Sequence, residues 1–346
     1  MIKVLRALQQ QERNKMTTTT FSGNLFKRFF NKFRISPVYI FLIVIFISGG
    51  ILDQIFADGQ ILTNEAIFIN IIVRSVALGI VAVGQTLVLI GASIDLSVVY
   101  VISLTSSVSS YIMQGDPANV PLAILVVFGI GALIGLVNGL IITKLHVNSF
   151  ITTLGTSLII KGIINSTFSN YVGGVPKSFE YFGYAMVGSI PVSIFVFVII
   201  VVAGWFLLTR TKFGAHLYGV GGNAEVARLS GLRTDRILIG AHILCSMTAV
   251  LTGLFLVSRM QSGSPWVGPD GLYDLESIAT TVVGGTAIAG GKGGVWGTLA
   301  GVLIFGVLDT VFNQLGVNPY LKTVLRGAII ILAVASYTYR SKKEAA

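Results

Sequence analysis

A lysine sits among glycines in VVGGTAIAGGKGGVWGT, Val282 to Thr298, residue types that suit a phosphate-binding loop. Such a loop places four residues between its first Gly and a Gly-Lys pair, then a Ser or Thr whose hydroxyl meets Mg²⁺. Here five residues separate Gly285 from Gly291-Lys292, and Gly293 stands where the hydroxyl is needed. The spacing misses by one and the metal ligand is absent. The other groups capable of chemistry are scattered. His146, His216 and His242 fall in different segments without His-Glu-x-x-His spacing, and no Gly-x-Ser-x-Gly turn occurs. Asp270 and Asp274 lie in a Gly/Pro-rich connection and read as solvated charge. No catalytic residue, metal site or resident cofactor is expected.

A different set of residues draws notice by its surroundings. Arg74, Asp95, Lys161, Glu276, Asp309, Lys322 and Arg326 lie within or beside apolar segments. At mid-bilayer each ionised group costs at least ~2.5–3.5 kcal/mol, so such groups face protein or a water-filled cavity. Arg74, Asp95, Lys161, Glu276 and Asp309, with Ser97 beside Asp95, are the candidate pathway or structural polar residues. Lys322 and Arg326, one helical turn apart near a span end, are placed to snorkel.

The elements that must position these groups follow from composition. Of 346 residues, 53% are hydrophobic and only 11% charged, against about 25% charged in soluble domains. A bilayer, whose core takes about 20 apolar residues per spanning helix, is the matching solvent. The 40 glycines fit close helix packing there. The single cysteine, Cys245, lies in an apolar run and reads as a small core residue.

Apolar segments recur at about 38–52, 67–93, 96–113, 120–143, 149–169, 189–208, 237–257, 276–290, 295–312 and 319–338. The expected fold is therefore an all-α integral membrane protein of about ten transmembrane helices, the eighth short, broken or re-entrant. Positive charge sets the orientation. With the N-terminus inside, inner connections hold Lys144, Arg210, Lys212, Arg228, Arg233, Arg236 and Lys292, followed by Arg340, Lys342 and Lys343. Outer connections hold Lys177 and Arg259 beside Asp53, Asp58, Glu65, Asp116, Glu180, Asp270 and Asp274. Both termini are expected in the cytoplasm. The net charge of +10 reads as a topogenic signal with affinity for anionic lipid, not for nucleic acid. The organisation is a basic tail at 1–36 (with Met16 an alternative start), one membrane domain at 37–338, and a short tail at 339–346.

The longest inner connection, about 209–236, contains GGNAEVARLSGL. Gly219, Gly221 and Gly222 read as a flexible lead-in. Asn223 is a good N-cap, Glu225 suits the first-turn dipole, Ala224 to Ser230 allows two turns, and Gly231 suits the left-handed stop. Two readings stand: an ordinary basic loop, or a coupling helix that docks in a groove of a cytoplasmic partner through Asn223, Ala224, Glu225, Ala227, Arg228, Ser230 and Gly231. Ala227 is expected on the docking face.

GQTLVLIGASIDLS, NGLIITKLHVNSFITTLGT, GGNAEVARLSGL and VVGGTAIAGGKGGVWGT occur in this order. Together they resemble the permease subunits of bacterial monosaccharide ABC importers, the group of the ribose, xylose, arabinose and autoinducer-2 systems. The likeness covers about residues 65–338. Ala92-Ser93 stands where the family usually has Gly-Gly, Ser149 where Pro is frequent, and Lys161-Gly162 where Arg-Gly is common.

The resemblance implies a multi-pass inner-membrane permease paired with a second copy or paralogue. It further implies two cytoplasmic ATPase subunits, which bind ATP and Mg²⁺, and a periplasmic sugar-binding protein. It assigns ATPase contact to the region Asn223–Gly231 and places the sugar between two permeases, near the second and third spans and the Gly-rich segment. Another cargo (autoinducer-2, a nucleoside, a branched-chain amino acid) and an ion-coupled secondary transporter using Asp95, Glu276 or Asp309 remain open alternatives.

Overall fold

The structure, a computed structural model, describes residues 37–57, 59–329, 331 and 335. The tails at 1–36 and 339–346, and most of the tenth apolar segment beyond 329, lie outside the described residues. Among the described residues six helices are long and apolar enough to cross a membrane. They are α1 (Pro37–Phe56), α2 (Glu65–Ile90), α4 (Val120–Lys144), α7 (Val192–Arg210), α10 (Thr234–Met260) and α13 (Val295–Gln314). Between them come α3 (Val98–Met113), α5 (Ser149–Thr167), α6 (Lys177–Tyr184), α8 (Lys212–Gly222), α9 (Ala224–Leu229), α11 (Val267–Asp270) and α12 (Tyr273–Val283), and a last helical stretch covers 319–329. A two-residue antiparallel hairpin, Met186–Val187 with Ile190–Pro191, precedes α7. It is too short to leave an alternating pattern in the sequence.

Helix α10 is the axis of the fold, packed against α4, α2 and α3. The α4 contact is written as Gly131, Gly135 and Gly139, one glycine every fourth residue on a single face. A Cβ at Gly135 would lie 2.6 Å from Ile243 Cα and 2.7 Å from the His242 carbonyl oxygen. Both are backbone atoms that a rotamer change cannot clear. The opposite face of α4 exposes Leu122, Leu125, Leu133 and Leu140, as a lipid-facing surface should. Gly135→Leu is expected to separate α4 from α10 and destabilise the chain by at least the ~1–3 kcal/mol typical of overpacking. Thermal unfolding of the detergent-solubilised protein measures this, and an unchanged midpoint would contradict the packing described.

Helix α3 is short and serine-rich, yet largely buried. Its hydroxyls satisfy backbone that returns into the fold after α10: Ser106 Oγ accepts from Ser264 N–H at 3.1 Å and Ser103 Oγ from Gly268 N–H at 3.0 Å. Non-helical backbone at membrane depth needs such partners. Cys245 is fully buried, as expected.

The eighth apolar segment forms only the 11-residue α12, then turns through a glycine run. Gly284, Gly297 and Gly301 let α12 and α13 touch backbone to backbone. Gly285, Gly290, Gly291 and Gly293 have positive φ of 92°, 87°, 71° and 128°. The run is a sharp turn between closely packed helices.

Candidate functional site

The glycine-rich stretch does not form a phosphate-binding loop. Several of its amides are engaged by protein carbonyls: Ala287 N–H donates to Lys292 O, Gly290 N–H to Ala287 O, and Gly291 N–H to Ile90 O at 2.9 Å. It follows a helix instead of a strand, and Lys292 is exposed at its far side.

The polar residues within the spans form two clusters. The first locks the loop between α2 and α3. After Gly91 the backbone leaves the helix, with Ala92 at φ 57°, and residues 93–97 run through the interior. Asp95 is fully buried; its Oδ1 accepts from Ser97 N–H at 2.9 Å and from Ser97 Oγ at 2.6 Å. Asn138 Nδ2 of α4 donates to Ser97 Oγ at 3.0 Å, and Thr156 Oγ1 of α5 donates to Asn138 Oδ1 at 2.6 Å. Thr153 Oγ1 accepts from Leu96 N–H at 3.1 Å. The Gln85 amide, oriented to satisfy both its ends, donates to Asp95 O at 3.2 Å and accepts from Asp95 N–H at 3.3 Å.

On the other side of Asp95, Oδ2 lies 3.3 Å from His242 Nδ1, and His242 Nε2 lies 2.9 Å from Ser93 Oγ. The pattern has the order of a Ser-His-Asp hydrolase triad. Yet His242 and Asp95 are fully buried and Ser93 is 4% exposed, so no substrate carbonyl reaches the hydroxyl. Its chemistry is satisfaction of buried polar groups, which fixes loop 91–97 against four helices.

The second cluster joins Arg74 of α2, Glu276 of α12, Asp309 of α13 and Arg326. Arg326 bridges both acids: Nη2 lies 2.6 Å from Asp309 Oδ1 and Nη1 lies 3.0 Å from Glu276 Oε1. Arg74 Nη1 stands 3.5 Å from Asp309 Oδ2. Lys322 Nζ donates to Asn313 Oδ1, and Asn313 Nδ2 donates to Asp309 Oδ2 at 3.3 Å. Arg326 is therefore an internal ion-pair partner, which replaces the snorkelling expected for it. Two opposed pairs compensate each other's desolvation, as intramembrane charges require. A cavity of about 240 Å³ adjoins the cluster, lined among others by Arg74, Tyr273, Glu276, Asp309 and Arg326.

Lys161 joins neither cluster. It is exposed on α5 and has no ion-pair or hydrogen-bond partner among the described residues.

The 209–236 connection is more ordered than its glycines suggest. Gly219, Gly221 and Gly222 lie within α8 and do not form a flexible lead-in. Gly221 is there for space, since a Cβ would collide with Ile90 O. The next helix keeps the expected caps: Asn223 Oδ1 accepts from Glu225 N–H and Val226 N–H, both at 3.0 Å, and Gly231 has φ 85°. The outward face differs from expectation. Ala227 is 5% exposed and turns inward, whereas Val226 and Leu229 are 57% and 79% exposed. Six residues are too few for apolar periodicity to register which face points outward.

Sequence reasoning grouped Asp95 with Ser97 but missed His242, Asn138, Thr156 and Gln85. An amide inside an apolar span, as at Asn138, is itself a signal; a lone histidine is not. It also missed Tyr273 and the role of Arg326.

A family profile described as "Branched-chain amino acid transport system / permease component" matches residues 67–334. The ribose import permease protein RbsC of Escherichia coli (strain K12) is 34% identical over 327 residues, covering 92% of this chain and 98% of that protein. The galactose/methyl galactoside import permease protein MglC of the same strain is 36% identical over 296 residues, 79% and 87% of the two chains. RbsC of Bacillus subtilis (strain 168) is 36% identical over 301 residues, 85% and 89%. No solved structure matches.

Proposed function

The chain belongs to the family described as branched-chain amino acid transport system / permease component, and from that premise we infer that it is the permease subunit of a bacterial ABC importer for a monosaccharide. It is a multi-pass inner-membrane transporter subunit, not an enzyme. The observation that carries this reading is 34–36% identity to sugar import permeases over 79–92% of the chain. The family description names amino acids, but these three relatives are named for sugars, so a sugar is the favoured cargo.

In this reading α1, α2, α3, α4, α5, α7, α10, α12, α13 and the apolar segment at about 319–338 make ten crossings, with both termini cytoplasmic. The charge asymmetry of the connections supports it. Two permeases pair, a periplasmic binding protein delivers the sugar, and two ATPase subunits engage α9 from the cytoplasm. The locked loop 91–97 and the α12–α13 turn meet close to that surface through the Gly291–Ile90 hydrogen bond. They supply a stiff inner end against which motion of α9 can act.

The test is reconstitution in proteoliposomes. The chain assembled with a cognate ATPase and binding protein is expected to take up sugar only with ATP, and the binding protein with its sugar should stimulate hydrolysis. Uptake by this chain alone under an ion gradient would overturn the reading.

A further inference from the structure

We propose that the cavity between α2, α12, α13 and the 319–329 stretch binds a neutral polyhydroxylated solute, a monosaccharide, as a station within this chain. This rests on the permease reading and gives it a place. The volume, about 240 Å³, sits just below the ~300–1,000 Å³ of pockets for drug-sized ligands and suits a single sugar ring.

The charges on its wall decide the ligand class. Among the residues that line it, Arg74 and Arg326 balance Glu276 and Asp309, so the wall itself offers no net charge to an ionic solute. It does have spare hydrogen-bonding capacity. Glu276 is 5% exposed, and its Oε1, though 3.0 Å from Arg326 Nη1, is out of line for a hydrogen bond and accepts none among the described residues. Arg74 carries five donors and, among the described residues, uses one, at 3.5 Å, with its side chain 45% exposed. Sugar hydroxyls donate and accept together, so one diol can meet a carboxyl oxygen and a guanidinium at once. Tyr273, Phe305 and Phe312 add aromatic carbon for the C–H face of the ring. A pure ion-pair lock accounts for Arg326 bridging two acids. It leaves unexplained a cavity of this size against a buried carboxyl oxygen that lacks a hydrogen bond, an arrangement that is costly by itself.

The experiment is saturation-transfer NMR on the full chain in nanodiscs, with D-ribose, D-galactose and, as ionic control, L-aspartate. Binding should be weak, on the order of millimolar, because a transported solute must leave as readily as it enters. Wild type should show transfer to a sugar and none to aspartate. Leu308→Trp fills the cavity without removing any of the paired charges and should abolish transfer with the unfolding midpoint retained. Glu276→Gln, which keeps the shape, should weaken binding about tenfold. Sugar binding undiminished in a folded Leu308→Trp variant, or its absence in wild type, overturns the proposal. Sugar import by an assembled wild type whose chain fails this test would sink the station alone. Sugar binding with no import would sink the permease cargo and leave the cavity site standing.

Discussion

Leu229→Asp combined with Val226→Asp is expected to leave the chain folded and inserted, yet to abolish sugar-stimulated ATP hydrolysis and uptake in the assembled transporter. The two side chains lie three residues apart on one face of α9 and are 79% and 57% exposed. A six-residue helix is marginal alone in water. Here it is fixed from within, by the Asn223 cap, the left-handed Gly231 and the inward Ala227. None of these is altered by the double change. Full burial of one such side chain in a partner's groove contributes about 1.5–3 kcal/mol. Losing it weakens docking roughly 10- to 100-fold, and a buried unpaired carboxylate adds to that loss. Ala227→Arg tests the converse. It drives a charge into the packed side of α9 and is expected to reduce the amount of folded protein, before docking is at issue. Normal ATPase stimulation in the double variant would place the ATPase contact elsewhere.

The contrast between these variants shows where sequence stops being informative. Capping is local: Asn223 and Gly231 lie within nine residues and announce helix and stop by themselves. Apolar segments are equally legible, because a bilayer imposes one composition along each crossing. Facing within α9 was not legible, since two turns hold too few apolar residues to define a stripe. Nor was α8, where three glycines suggested flexibility; Gly221 is there because α8 crosses the end of α2 too closely for a Cβ.

Long-range polar pairing was the least accessible level. Arg326 meets Glu276 fifty residues away, and His242 meets Asp95 across 147. A residue type states that a partner is needed. It does not say which of several opposite charges, in spans whose order around the bundle is unknown, will supply it. Even so, the requirement was readable: Asp95, Glu276, Asp309 and Arg74 all proved to have partners, and Lys161 alone among those candidates has none among the described residues.

The second large effect tests whether the Ser93-His242-Asp95 arrangement is framework or machinery. Asp95→Ala strands the Ser97 N–H, the Ser97 hydroxyl and His242 Nδ1 in the buried interior. Each buried group left unpaired costs about 1–3 kcal/mol, so the total should reach ~3–5 kcal/mol, a large part of a typical stability. The midpoint of thermal unfolding in detergent should fall on the order of 10 °C. Asp95→Asn should be far milder. Its Oδ1 still accepts from Ser97, and its amide can donate to Nδ1 if the imidazole changes tautomer, with Nε2–H then donating to Ser93 Oγ. Ser93→Ala removes one hydrogen bond and should cost about 1 kcal/mol with uptake retained, whereas a catalytic serine would lose all turnover. Pairing Asp95→Ala with His242→Leu removes an orphan as well as a partner, so the double variant should be more stable than the sum of the singles by about 0.5–3 kcal/mol. An Asp95→Asn protein as stable as wild type but unable to transport would show that the carboxyl has a role in translocation. Retention of transport in that variant fixes Asp95 as the pin that holds the α2–α3 loop.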